Sequence, residues 1–239
     1  MPEDIKVLAS RRAYEFHTDD LRLSTLSMKP VQVQIQQLFQ FQAAVMGSPL
    51  PTFGNVPVTY PPGMVFNMGT WLTPEEQLIP IRLLHFEQRR VVIDVAGPSS
   101  AITAIFERLQ QFLSELQAAD GSPVIGKPER ILDYSEIVAR FPFSLESFFV
   151  PSLGNLFARI AHKDTKNIKL SIAPVFVIQT FPENEEVAAL GVPSDPYAFT
   201  FALRTGTRPE EHIYASNAPL DSEAHLSYLN ELESSLRSE

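Results

Sequence analysis

The sequence predicts an α+β fold of two similar halves, each running strand–helix–several antiparallel strands–helix. Three observations predict it. Residues 79–116 read as an apolar strand (IPIRLLHF), a charged turn (EQRR), a second strand (VVIDV), a Gly-Pro-Ser-Ser break and an amphipathic helix. The same order returns near the C-terminus as PYAFTFALR, a turn at Gly206-Thr207-Arg208-Pro209, HIYAS, an Asn-Ala-Pro-Leu-Asp break and a helix to Leu236. Twenty prolines in 239 residues argue against long helices and for short strands joined by turns.

Residues 5–26 alternate apolar and polar around Ile5 and Leu8, and again around Leu21 and Leu26, which predicts at least one strand. Val31, Ile35, Leu38, Phe39 and Gln42 then follow helical spacing behind Pro30, a residue that an opening turn tolerates. Residues 31–46 are therefore predicted as a helix with glutamines on its wet face. The Pro/Gly-rich residues 47–63 form a connection with one short strand at 56–60, and strands follow at 64–72, 79–86 and 91–95. Ser99 or Ser100 is expected to cap the next helix by accepting hydrogen bonds from its free backbone N–H groups. Along that helix Ile102, Ile105, Phe106, Leu109, Phe112, Leu113 and Leu116 make one stripe toward a core. Residues 118–128 end it and read as the main linker, which sets the halves at 1–120 and 121–239. The second half offers a strand near 137–143, a helix at 148–161, strands at 169–181, 197–205 and 213–215, and the last helix.

In that last helix His225, Leu229, Leu232 and Leu236 stand 120 residues after Ile105, Leu109, Phe112 and Leu116. Phe149, Leu153, Leu156, Phe157 and Ile160 stand 118 residues after the stripe that begins at Val31. Any two amphipathic helices share such spacing, so the matching order of elements is the stronger argument for an internal duplication. That order resembles the duplicated TATA-box-binding-protein-like fold, in which a curved sheet carries both halves and helices cover one face. The resemblance is one of topology over most of the chain and carries over no functional residue. It implies a nucleic-acid-binding module using the sheet face as the alternative function.

Charge speaks against that alternative. The formal net charge is −9, with 9 Lys and Arg against 12 Asp and Glu in residues 1–120, and 10 against 16 in the remainder. Binding a phosphate backbone draws on clustered cations. The one basic cluster, Arg159, His162, Lys163, Lys166 and Lys169, lies at a predicted helix end, where the helix dipole already favours cations. The acidic PENEE at 182–186 reads as a solvated loop. There are no cysteines, so disulfides and thiolate chemistry are excluded. No apolar run is long enough for a membrane span and no leader-like segment opens the chain, so no membrane partner and a cytoplasmic location are expected.

Candidate chemistry is sparse. Glu15, His17 and Asp19 would share one face of a strand, a set that suits a hard cation or zinc, but no second histidine stands near them. His85, His162, His212 and His225 are scattered singly, and His225 on its apolar stripe reads as a hydrogen-bonded or edge-of-core histidine. No nucleophile elbow, phosphate-cradling glycine loop or His-Glu-x-x-His occurs, so neither cofactor nor metal is expected and an enzyme is the third reading. The strands themselves are more informative. Several are apolar on both faces, where a half-wet sheet would alternate. A covered second face is therefore expected, carrying Arg82, Leu84, Phe86, Val175, Val177, Thr200 and Arg204, with Tyr197, Phe199 and Phe201 inward. The expectation is a non-catalytic protein-binding or assembly protein whose partner is another protein or itself, as a homodimer.

Overall fold

A computed structural model describes residues 2–46, 52–53, 56–57, 63–118, 120–143, 175–179 and 198–237. The predicted helix at 148–161, the basic cluster from Arg159 to Lys169, the acidic loop at 182–186 and Tyr197 lie outside them. The protein is mixed α+β. Its elements in order are β1 Glu3–Glu15, α1 Leu23–Leu26, α2 Lys29–Leu38, β2 Ala43–Met46, β3 Thr52–Phe53, β4 Val56–Pro57, β5 Met64–Leu72, β6 Leu78–Phe86 and β7 Arg90–Val95. After these come α3 Ser99–Ser114, β8 Arg130–Arg140, β9 Val175–Gln179, β10 Ala198–Leu203, a 3-10 turn Pro209–Glu211, β11 Ile213–Ala218 and α4 Ser222–Arg237. They form two compact units. The first is Val7–Ser135 with Leu220–Glu223, and the second is Met1–Lys6 with Glu136–Pro219 and Ala224–Glu239. No helix among the described residues is long and apolar enough to cross a membrane.

In the first unit the strand order is β2-β5-β6-β7-β1, and every pair in it is antiparallel. The inner face packs on α2 and α3. Tyr14 lies flat on Phe106 with ring centroids 3.6 Å apart, and the stripe Ile102, Ile105, Phe106, Leu109 and Leu113 is buried as its spacing predicts. The predicted helix at 31–46 is half right. Gln40 takes a left-handed φ of 51°, α2 stops at Leu38, and Ala43–Met46 becomes a strand paired with β5. Phe41 locks this turn against Gly69, where a Cβ would lie 2.5 Å from the Phe41 ring. Neither serine caps α3. The helix begins on Ser99 itself, whose Oγ accepts from the backbone N–H of Ser222 at 2.8 Å while Ser222 Oγ accepts from that of Ser99 at 3.0 Å. The expected linker at 118–128 is also no spacer, because Val124 and Ile125 sit in the core and Ile125 bridges Leu21.

The strand faces hold the main surprise. The β6–β7 register slips between Ile81 and Leu83, a bulge that leaves Arg82 as the extra residue. Side-chain parity therefore reverses, so Ile79 and Ile81 before the bulge share the inner face with Leu84 and Phe86 after it. On β5 the reversal comes at Met68, whose left-handed φ of 56° turns its side chain out to 66% exposure. Met64 and Phe66 before it, and Trp71 after it, meet the same core.

In the second unit the order is β8-β11-β10-β9. Phe199 and Phe201 point inward as expected. Phe201 stands 5.1 Å from Phe141 and 5.0 Å from Tyr214 between ring centroids, and Phe199 stands 4.9 Å from Tyr228 of α4. Such aromatic pairs add about 0.5–1.5 kcal/mol each beyond area burial.

Candidate functional site

On the outer face of the first unit, β7 brings Asp94 directly opposite Arg11 of β1. The bulge aims Arg82 at the same carboxylate. Arg11 donates from Nε at 3.0 Å and Nη2 at 2.7 Å to one oxygen, and Arg82 donates from Nε at 2.6 Å to the other. Asp94 is buried, whereas the two arginine side chains are 50% and 48% exposed. A charge-assisted array of this kind joins β1, β6 and β7 and leaves a net positive spot on an acidic protein. Further along the face Arg90 donates to Glu15 at 2.9 Å and lies 3.9 Å from Glu87. Burial raises the Glu87 carboxyl above its ordinary pKa, against the pull of Arg90, and Glu15 adds to the rise.

The seven residues expected on one partner face divide between the faces. Leu84 and Phe86 are fully buried in the core cluster, so they present nothing to a partner. The reason is the bulge at Arg82, which turns strict alternation the wrong way round for the rest of β6. The outer residues of this stretch are Leu83 and His85, both buried, and Arg82. Arg11 and Asp94 escape a reading based on apolar patches. A lone carboxylate inside the apolar strand VVIDV is the signal that points to them.

The other four residues share the outer face of the second unit or its rim. Val177 pairs with Thr200, and Thr200 with Asn217; Val175 pairs with Ala202, and Ala202 with Ala215. Val175 is 59% and Val177 51% exposed, Thr200, Ala202 and Ala215 are half-buried, and Arg204 is exposed just beyond β10. Short side chains keep this surface flat. Asn217 Oδ1 finds no donor among the described residues.

Among the described residues, groups with nucleophilic or metal-binding chemistry do not converge on solvent. Ser216 Oγ lies 2.8 Å from His225 Nε2, a pair that would suit a nucleophile and its base, yet both residues are at most 1% exposed. Ser216 also donates to Thr200 O at 3.1 Å, and Phe199 meets the His225 ring edge-on at 5.9 Å. Burial lowers the His225 pKa from 6.5 to about 4, so the imidazole is neutral near pH 7. This pair ties β11 to α4. His17 faces Glu129 at 3.6 Å while Glu15 turns to Arg90, and among the described residues no group of three or more His, Asp or Glu is placed to hold a metal. A cavity of about 440 Å³ in the second unit is lined by Glu3, Arg140, Phe141, Pro142, Glu210, Glu211 and His212. Its one guanidinium already faces Asp4 at 3.3 Å.

Compared with known proteins, the chain matches no family model and no curated protein.

Proposed function

We propose that this chain is a non-catalytic protein-binding or assembly protein that pairs with a second copy of itself through the outer sheet face of its second unit. The observation that carries the reading is the exposure of Val175 and Val177, 59% and 51%, on β9 at the edge of a flat face. Their neighbours Thr200, Ala202, Ala215 and Asn217 carry no charge, so a copy of the same surface meets no like charge when it approaches by a twofold axis. Arg204 stands at the rim, where a charge sets partner choice and on-rate more than affinity. Burying apolar area contributes about 25 cal/mol per Å², so a patch of a few hundred Å² gives several kcal/mol before the cost of association.

Internal duplication belongs to the same proposal. The order β5-β6-β7-β1 followed by α3 matches the order β9-β10-β11-β8 followed by α4. Both helices are 16 residues long and open on Ser99 and Ser222, 123 positions apart. This order is also what supports a TATA-box-binding-protein-like topology. The nucleic-acid function which that topology implies has the net charge of −9 against it.

Light scattering at concentrations on the order of tens of micromolar tests the proposal. The wild-type chain is expected to be a dimer, and Val177→Glu a folded monomer, because the substitution places an unpaired charge in the contact. A wild-type monomer under these conditions overturns it.

A further inference from the structure

We propose that Arg11 and Arg82, held by Asp94, form a binding site for a phosphate-type oxyanion on the outer face of the first unit. The argument starts from the donors that protein contacts leave over. Arg11 uses Nε and Nη2 on one oxygen of Asp94, and Arg82 uses Nε alone on the other. Neither side chain makes another hydrogen bond among the described residues, so Nη1 of Arg11 and both Nη groups of Arg82 have no partner among them. Each guanidinium thus keeps its Nη1–Nη2 edge open, the edge that takes two oxygens of one phosphate side by side.

Both side chains are about half exposed, so these open edges are within reach of solvent. The buried carboxylate fixes the two stems in advance and removes much of the ordering cost that two free arginines would meet on binding a ligand. It neutralises only one of the two charges. The single positive charge that remains suits one isolated oxyanion, not a nucleic-acid backbone, which needs a track of cations.

Backbone geometry points to the same place. The bulge at Arg82 is what directs this side chain to Asp94, and the non-glycine Met68 adopts its left-handed conformation between the pairs Asn67–Leu83 and Gly69–Ile81, beside Arg82. Sheets use bulges to re-aim a side chain, and left-handed non-glycine residues cluster at ligand sites. Met68 is 66% exposed and offers an apolar flank to whatever carries the phosphate group.

The test is a titration of the full chain with inorganic phosphate, followed by calorimetry and by the NMR signals of the arginine Nε–H groups. Acetate and chloride at equal ionic strength serve as the comparison arms. Phosphate is expected to bind more tightly than acetate, and acetate more tightly than chloride, with the Arg11 and Arg82 Nε–H signals moving together. Arg11→Gln and Arg82→Gln each remove a charge-assisted pair and should weaken phosphate roughly tenfold or more. Arg82→Lys keeps the charge without the fork and should fall between Arg82→Gln and the wild type. Phosphate no tighter than chloride overturns the site, as does binding unchanged in either glutamine variant. Acetate tighter than phosphate overturns the phosphate assignment.

Discussion

Corresponding strands of the two units treat their outer faces differently. In the first, Val65 of β5 pairs with His85 of β6, and both are buried, at 0% and 1% exposure. In the second, Val175 of β9 pairs with Ala202 of β10, and the valine is 59% exposed. The same order of strands and the same valine thus end in opposite environments. The inner faces differ in kind as well. Where the first unit places Ile93 opposite Leu84 and Ile102 as the fourth residue of α3, the second places Ser216 opposite Phe201 and His225 as the fourth residue of α4. One unit fills that layer with hydrocarbon and the other with a buried hydrogen bond. Strand order alone therefore does not say which face is available to a partner; burial has to be read strand by strand.

The largest effect that sharpens this comparison is in the core. Phe86→Ala should cost about 3–5 kcal/mol in urea unfolding, whereas Val177→Ala should stay within about 0.5 kcal/mol. If Phe86→Ala costs under about 1 kcal/mol instead, the inner and outer faces of β6 are exchanged and the comparison fails.

Next comes the histidine layer. His225 has a folded pKa of about 4 against 6.5 when unfolded. Between those values the unfolded chain binds more protons, so stability is complete above pH 6.5 and falls as pH drops toward 4. The interval corresponds to about 3 kcal/mol. His225→Leu should remove that part of the pH dependence, measured as the difference between the two unfolding profiles. Identical pH slopes in wild type and variant would show that His225 is not held neutral.

A smaller contrast lies on the outer faces, where Asp94 and Asn217 hold like places on β7 and β11. Asp94→Ala leaves two guanidinium groups facing each other and should cost about 1–3 kcal/mol. Asn217→Ala removes an amide oxygen that has no donor among the described residues and should stay within about 0.5 kcal/mol. Equal costs in thermal unfolding would remove this distinction between the units.

Much of the architecture is readable from the residues. Runs such as IPIRLLHF and VVIDV declare strands by length and branching, and the Ile102–Leu113 stripe declares α3 by its period. What hides is parity. Alternation assumes an unbroken pleat, and neither Met68 nor Arg82 is a residue type that marks a reversal. Hence Leu84 and Phe86 turn into the core against the alternation, while Val175 and Val177, on a strand with no slip in its register to β10, are exposed. The end of α2 hides for a related reason, since Gln40 occupies a left-handed position where a glycine would have announced the stop. The Arg11–Asp94–Arg82 array joins the β6–β7 hairpin to β1, 83 residues before Asp94, and only the charge of Asp94 within an apolar run hints at it.

Because the chain has no cysteine, a single introduced thiol reports on one position without background. Val65→Cys and Val177→Cys, reacted with a thiol reagent across a dilution series, test the open-face account most directly. The account predicts that the thiol at position 177 reacts nearly as fast as a free peptide thiol in dilute solution and slows as concentration rises and the face is covered. At position 65 the thiol should react far more slowly at every concentration. Equal rates at the two positions, or protection of position 177 that persists on dilution, would contradict it.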